Sequence, residues 1–338
     1  MPCAHKFRYP LLMIIGLFCL SALILIFFLY RFTVIPGHSG RGLNQPGNDL
    51  DGLQNQLQRH VKVLSEDIGE RHHEIPESLD RTVAYITQEL RIAGYDPEIQ
   101  SFGDRPYYNV IAEITGGKKK NEIIIVGAHY DTVWLSPGAD DNASGVAALL
   151  EIAGNFSDSH PARTIRFVAF GNEEEPFSGT VNMGSLVYAR SVLEKRENII
   201  GMFSLEMLGY YSEEAGSQSY PVPLSWFYPD TALFVAFVAN ISSRPLLVRT
   251  IRHFRQNSDF PAEGLAAPES LVPHIRRSDH ASFWDAGYPA VMVTDTANFR
   301  NMNYHTVGDV ARTLDYEKMV RVVNGLMLML EDLAQDDS

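Results

Sequence analysis

Cysteine is almost missing from this chain. Its only two, Cys3 and Cys19, stand near the start, so the long remainder can hold no internal disulfide. Stability there has to come from core burial and bound metal. Cysteine usage accordingly leaves the compartment undecided. Positive charge is also short: 28 Lys and Arg stand against 41 Asp and Glu, a net charge of -13. Nucleic acid selects a basic face, so that partner class is excluded. The surplus of acid is compatible with a cation-binding enzyme without establishing one. No internal repeat is apparent. Hydrophobic residues make up 45% of the chain, enough for a sizeable core.

Residues 11–30 read LLMIIGLFCLSALILIFFLY. The run carries no charge, and its length matches the hydrocarbon core of a bilayer. A cleaved signal peptide has a shorter apolar region and a small-residue cleavage site. This run ends in bulky residues, so an uncleaved anchor is expected. His5, Lys6 and Arg8 precede it. Basic residues stay on the cytoplasmic side, which places the rest of the chain outside the cytoplasm. Arg31 and Arg41 on the far side weaken that asymmetry. The expected layout is a cytoplasmic tail (1–10), a transmembrane anchor (11–31), a linker rich in Gly, Pro and Asn (32–50), and one catalytic domain (51–338).

Within the domain, Leu53, Leu57, Val61 and Leu64 recur at helical spacing, as do Leu79, Val83, Ile86 and Leu90. Gly94 stands where a helix end favours a left-handed residue. Strands are expected at 98–102 and 108–115, with a charged hairpin turn at 116–122. Buried-type strands follow at 122–128, 164–176 (ending in acid), 199–211 and 288–294. Helices are expected at 144–154, 183–195, 230–240 and 316–333, and an extended segment at 245–251. The Pro-rich stretch 221–277 reads as an irregular rim. Strands alternating with helices argue for an α/β domain, its sheet mixed and mostly parallel with helices on both faces.

The stretch 127–145, GAHYDTVWLSPGADDNASG, organises the rest. An apolar strand leads into it and a small-residue helix leads out, and open α/β sheets gather ligands at such carboxyl edges. Four strand ends or loops carry related groups: His129 and Asp141, then Glu173 and Glu174, then Glu206, then His305. Carboxylates with imidazoles suit zinc or a related ion. A carboxylate shared by two ions would give a two-metal site that grips one water and one carbonyl oxygen. Asp131, two residues after His129, could orient that imidazole as an acceptor.

AHYDT (128–132), PGADDNASG (137–145), FGNEEEP (170–176), SLEMLG (204–209), SDHASFW (278–284) and YHTVGD (304–309) together carry a resemblance. In this order and separation the chain resembles the co-catalytic zinc exopeptidases of metallopeptidase family twenty-eight, from about residue 69 to about 333. The resemblance implies two zinc ions and peptide substrates. It implies that His129 and Glu206 hold one ion, Glu174 and His305 the other, and that Asp141 bridges them. Glu173 resembles the general base. Many members have Asp where Glu206 stands; the longer acid is still able to bind. A third acid, Glu175, follows the pair, and the spacing from Phe170 selects Glu173 and Glu174. His280 is expected to be structural and His72 and His73 to be rim residues. Trp134, Phe177 and Trp284 are candidates for a substrate pocket or for the core.

Two rivals share the scaffold. A glutaminyl cyclase resembles a one-zinc site and usually lacks the full DDNASG loop. A non-catalytic binding ectodomain typically loses ligands, and none is missing here.

Overall fold

The computed structural model describes residues 8–35, 50–104, 106–222 and 224–335. The expected linker falls mostly outside the described residues, as does most of the expected cytoplasmic tail. The helices are α1 (Arg8–Thr33), α2 (Leu50–Lys62), α3 (Pro76–Ile92), α4 (Gly145–Phe156), α5 (Gly184–Glu194), α6 (Arg244–Asn257), α7 (His280–Asp285) and α8 (Tyr316–Gln335). The strands are β1 (Glu98–Phe102), β2 (Tyr107–Ile114), β3 (Lys119–His129), β4 (Arg163–Phe170), β5 (Asn198–Glu206), β6 (Val235–Asn240), β7 (Ala262–Ala267) and β8 (Ala290–Thr294). They form one sheet in the order β1-β2-β4-β3-β5-β8-β6-β7.

The sheet is mixed. β4, β3, β5 and β8 run parallel at its centre, and β6 pairs parallel with β7. The junctions β1–β2, β2–β4 and β6–β8 are antiparallel. Ile123 to His129 are all buried, as a parallel strand covered on both faces requires. α4 seals that centre because its residues are small. A Cβ on Gly145 would lie 2.4 Å from the Leu205 carbonyl oxygen, so only glycine lets this helix reach the end of β5. α8 closes the domain with Met319, Val322 and Leu326 buried, the stripe expected of an amphipathic helix.

Three local expectations are corrected. Residues 116–122 do not turn a hairpin, because β4 lies between β2 and β3 and pairs with both. Residues 235–240 form β6 rather than a helix. The short apolar run VAFVAN has no period of its own, and pairing with β7 and β8 decides it. Residues 244–257 form α6 rather than an extended segment. Pro245 sits in the first turn, where its missing N–H costs nothing, and Leu247, Ile251 and Phe254 share the buried face. The middle of the stretch 221–277 thus carries β6, α6 and β7.

α1 is 26 residues long and its described apolar side chains, Leu12 and Phe18 among them, face outward. Side chains such as those of Leu25, Phe28 and Leu29 lie outside the described residues. Among the described residues, no helix is long and apolar enough to cross a membrane. Just past α1 the chain joins the domain. Val34 bridges antiparallel to Leu265, and the Ile35 N–H donates to the Gly264 carbonyl at 3.1 Å. The expected anchor is taken up under the proposed function.

Candidate metal centre and active site

His129 ends β3, Glu206 ends β5, and Glu173 and Glu174 follow β4, so the parallel centre delivers all four to one edge of the sheet. Asp141 arrives from the loop before α4, and His305 from the loop after β8. Their atoms converge. His129 Nε2 lies 3.3 Å from Asp141 Oδ1 and 3.5 Å from Glu206 Oε2. His305 Nε2 lies 3.1 Å from Asp141 Oδ2 and 3.3 Å from Glu174 Oε1. The two oxygens of Asp141 therefore face two separate imidazole–carboxylate pairs. His129, Asp141 and Glu174 alone bring ligand atoms within 4.8 Å of one another.

The support around these groups is built from main chain and polar side chains. His129 Nδ1 is 3.2 Å from the Asp131 carbonyl oxygen, which can only accept, so Nδ1 donates there and Nε2 is turned toward Asp141 and Glu206. Asp131 acts differently from the expectation. Its carboxylate stands 3.6 Å from the imidazole and instead accepts the N–H groups of Glu173 and Glu174, each at 3.0 Å. It positions the acid pair, while its main-chain carbonyl orients the ring. Asp309 accepts the N–H groups of Asp140 and Asp141 at 2.8 and 3.0 Å. Asp140 turns away from the centre and accepts from Gly209 N–H and the Asn301 amide. Ser278 Oγ donates to Glu206 Oε2.

Two further supports carried no signal in the sequence. Arg71 is fully buried and its guanidinium donates to the carbonyls of Leu64, Gly69, Tyr130, Pro137 and Gly138, at 2.6 to 3.1 Å. Burial pushes it down to about 10, against the pull of Asp309, Asp131 and Asp141. It ties the loop between His129 and Asp141 into place. Ser278 sits in the SDHASFW motif, but nothing local singles out its hydroxyl. Asn172, Met207 and His305 all take positive φ beside the centre, a backbone cost that surrounding contacts must offset.

His280 is buried with Nε2 at 2.6 Å from the Ile275 carbonyl and Nδ1 unpartnered, and makes no contact with the converging ligands. Trp284 packs edge-on to it and donates to the Ala290 carbonyl, so it belongs to the core. His72 is buried rather than a surface residue. It belongs to an aromatic chain running Trp134, His72, His73, Phe177 and Tyr107, each ring 4.1 to 5.2 Å from the next. On another side, an apolar cleft opens from Glu206 and Tyr304, between Phe234, Met292 and Val272, toward Leu224 and Tyr228.

The electrostatics call for a cation. Burial opposes charge on His129, yet Glu206 and Glu173 hold it well above its ordinary value. His305 is partly open to solvent; burial of the rest of the ring opposes its charge, yet Asp141 and Glu174 push it up to about 10. Burial and the Asp141 charge push Glu174 up to about 7. Burial, with Glu174 and Glu206 nearby, raises Glu173 well above the carboxylate range. Protonated imidazoles are balancing a crowd of acids. Glu174 Oε1 is buried and accepts no hydrogen bond. Donors at about 2.0–2.1 Å from a tetrahedral zinc stand about 3.3 Å apart, the spacing found here. The residues fit a metal.

A sequence model of Peptidase family M28 matches residues 109–329, which include every converging ligand. The chain belongs to peptidase family M28. Membership makes it a metallopeptidase, a hydrolase. Its relatives include YfbL of Escherichia coli K12, 37% identical over 299 residues that span 84% of this chain and 90% of that protein. A probable zinc metalloprotease of Pyricularia oryzae is 29% identical over 69% of the chain, which spans 51% of that protein's length. Among solved structures, an aminopeptidase from Aneurinibacillus shares the fold at a TM-score of 0.64 and 19% identity, over 84% of this chain and 95% of that one. All six motifs read from the sequence lie inside the stretch matched to M28.

Proposed function

We propose that this M28 peptidase is a two-zinc aminopeptidase that removes N-terminal residues from peptides, held to a membrane by α1 with its catalytic domain outside the cytoplasm. The observation that carries the two-metal reading is Asp141, whose oxygens face His129 with Glu206 on one side and His305 with Glu174 on the other. Zinc bound there would lower the pKa of water and polarise the substrate carbonyl. Glu173 then takes a proton from the attacking water as its oxygen bonds to the carbonyl carbon. It returns that proton to the amine nitrogen as the C–N bond breaks. Asp131 keeps Glu173 in place through its main-chain N–H. The apolar cleft beside Glu206 suits an apolar side chain next to the scissile bond.

The uncharged run 11–30 and the outward apolar side chains of α1 support the anchor. Carbonate extraction of membranes from expressing cells tests it, with recovery in the soluble fraction counting against it. The activity is tested on the detergent-solubilised chain with a panel of fluorogenic aminoacyl amides, with and without a chelator. Chelator-sensitive release from at least one apolar aminoacyl amide is expected. Metal analysis separates the rival glutaminyl cyclase, for which one tight zinc per chain is expected in place of two. The His129→Ala variant should retain one ion.

A further inference from the structure

We propose that the loop residues 224–228, with Val222 before them, and the turn that follows β7 rest on the bilayer surface beside the end of α1, laying the mouth of the apolar cleft against lipid. The inference rests on the anchor reading above. Its first support is how α1 leaves for the domain. Val34 and Ile35 are stitched to the edge of β7, and the Arg255 guanidinium donates to the Ile35 carbonyl at 3.3 and 3.4 Å. A helix end pinned within two residues keeps the nearest part of the domain close to wherever that end lies.

The nearest part is this loop. The Tyr30 ring meets Phe227 at 5.4 Å, and the Tyr228 hydroxyl donates to the same Gly264 carbonyl that receives Ile35. Its side chains face the wrong way for water: Val222 is 80% exposed and Trp226 70%, with Leu271 at 72% on the neighbouring turn. Exposed apolar groups gathered at one place mark a contact surface. Indole is at home in the headgroup layer. Charge agrees. In a chain of net charge -13, α6 carries no acidic residue and three arginines, Arg244, Arg249 and Arg252, besides the buried Arg255 that holds Ile35. Basic groups beside an anchor attract anionic headgroups. Pro221, Leu224 and Tyr228 line the cleft at this end and Glu206 at the other. A peptide whose N-terminal residue partitions into the headgroup layer can then reach the metal centre along an apolar wall.

The test uses the full chain in vesicles of phosphatidylcholine and phosphatidylglycerol, some with acyl chains brominated close to the glycerol. Flotation on a density gradient is read first, then tryptophan fluorescence. The expected result is co-flotation with quenching by the brominated lipid, and loss of that quenched component in Trp226→Phe, whose exposed position leaves folding intact. A chain that fails to float overturns the anchor and this inference together. A chain that floats, but whose Trp226 is quenched only by aqueous iodide, overturns this inference alone. Shielding of Trp226 from both quenchers would assign the patch to a second copy of the chain and also overturn it.

Discussion

At the scale of single residues, the centre divides into groups that would hold metal, one that would move a proton, and those that aim the others. Glu173→Gln keeps the shape and removes the base. It is expected to lower kcat by about 10²–10⁴-fold while metal content stays unchanged. Retained activity in the purified variant would remove Glu173 from the mechanism. Ser278→Ala removes the hydroxyl that donates to Glu206. Chelator competition should show about 10–100-fold weaker binding of one ion, with the His305 side unaffected. His280 supplies a pH signature. Burial, with Arg276 nearby, pushes it down to about 4 against the pull of the Ile275 carbonyl. The unfolded chain then binds the proton more readily between about pH 4 and pH 6.5, so this contribution is intact above that window and lost as pH falls through it, worth about 3 kcal/mol in all. The deficit of His280→Gln relative to the parent should therefore narrow on acidification, as read by denaturant titration. A deficit that stays constant would mean that His280 titrates alike in both states. The positions that meet at this sheet edge were legible because each sits in a motif. Arg71 and Ser278 were not, since their partners are carbonyls and a carboxylate brought from distant parts of the chain.

At the scale of elements, the site depends on how closely loops and helices approach the sheet. Arg71 binds five carbonyls around the loop that follows β3. Lysine has three donors and no fork, so Arg71→Lys should leave buried carbonyls unpaired and cost at least about 2 kcal/mol. Thermal melts check this, and an unchanged melting temperature would mean the loop holds itself. Gly145→Ala places a methyl group against the Leu205 carbonyl and the Asn142 side chain. Overpacking of this kind costs about 1–3 kcal/mol, and here it would also push Glu206 off its neighbours. Long periodic elements were readable: α2, α3, α8 and the central strands lie close to where pattern places them. β6 and α6 were not. Each offers a short apolar run whose type is decided by strand neighbours that local sequence does not reveal, or by a proline that reads equally as a breaker and as a helix start.

At the scale of the whole molecule, the chain gathers acids at one sheet edge without a disulfide to brace the domain. Metal that binds only the folded state stabilises it, by about 2.7 kcal/mol at a free concentration one hundred times Kd. Removing it with a chelator should lower the melting temperature by several degrees, and adding zinc back should restore it. No shift would mean that the acids are balanced by protons alone. The mixed sheet was foreseen in outline, since alternating strands and helices imply its parallel centre. Its antiparallel flanks were not, because pairings such as β2 with β4 join segments more than fifty positions apart.

The stitch between Val34–Ile35 and β7 has a practical consequence for anyone trimming the chain to a soluble form. A cut at about residue 37 looks natural, since it falls in a stretch of Gly and Pro, but it discards the two residues that cover the outer strand. β7 would then present bare amides and carbonyls, an open template for sticking to its neighbours. A shortened protein that starts at Arg31 keeps the cover, and should stay monodisperse where the shorter version precipitates.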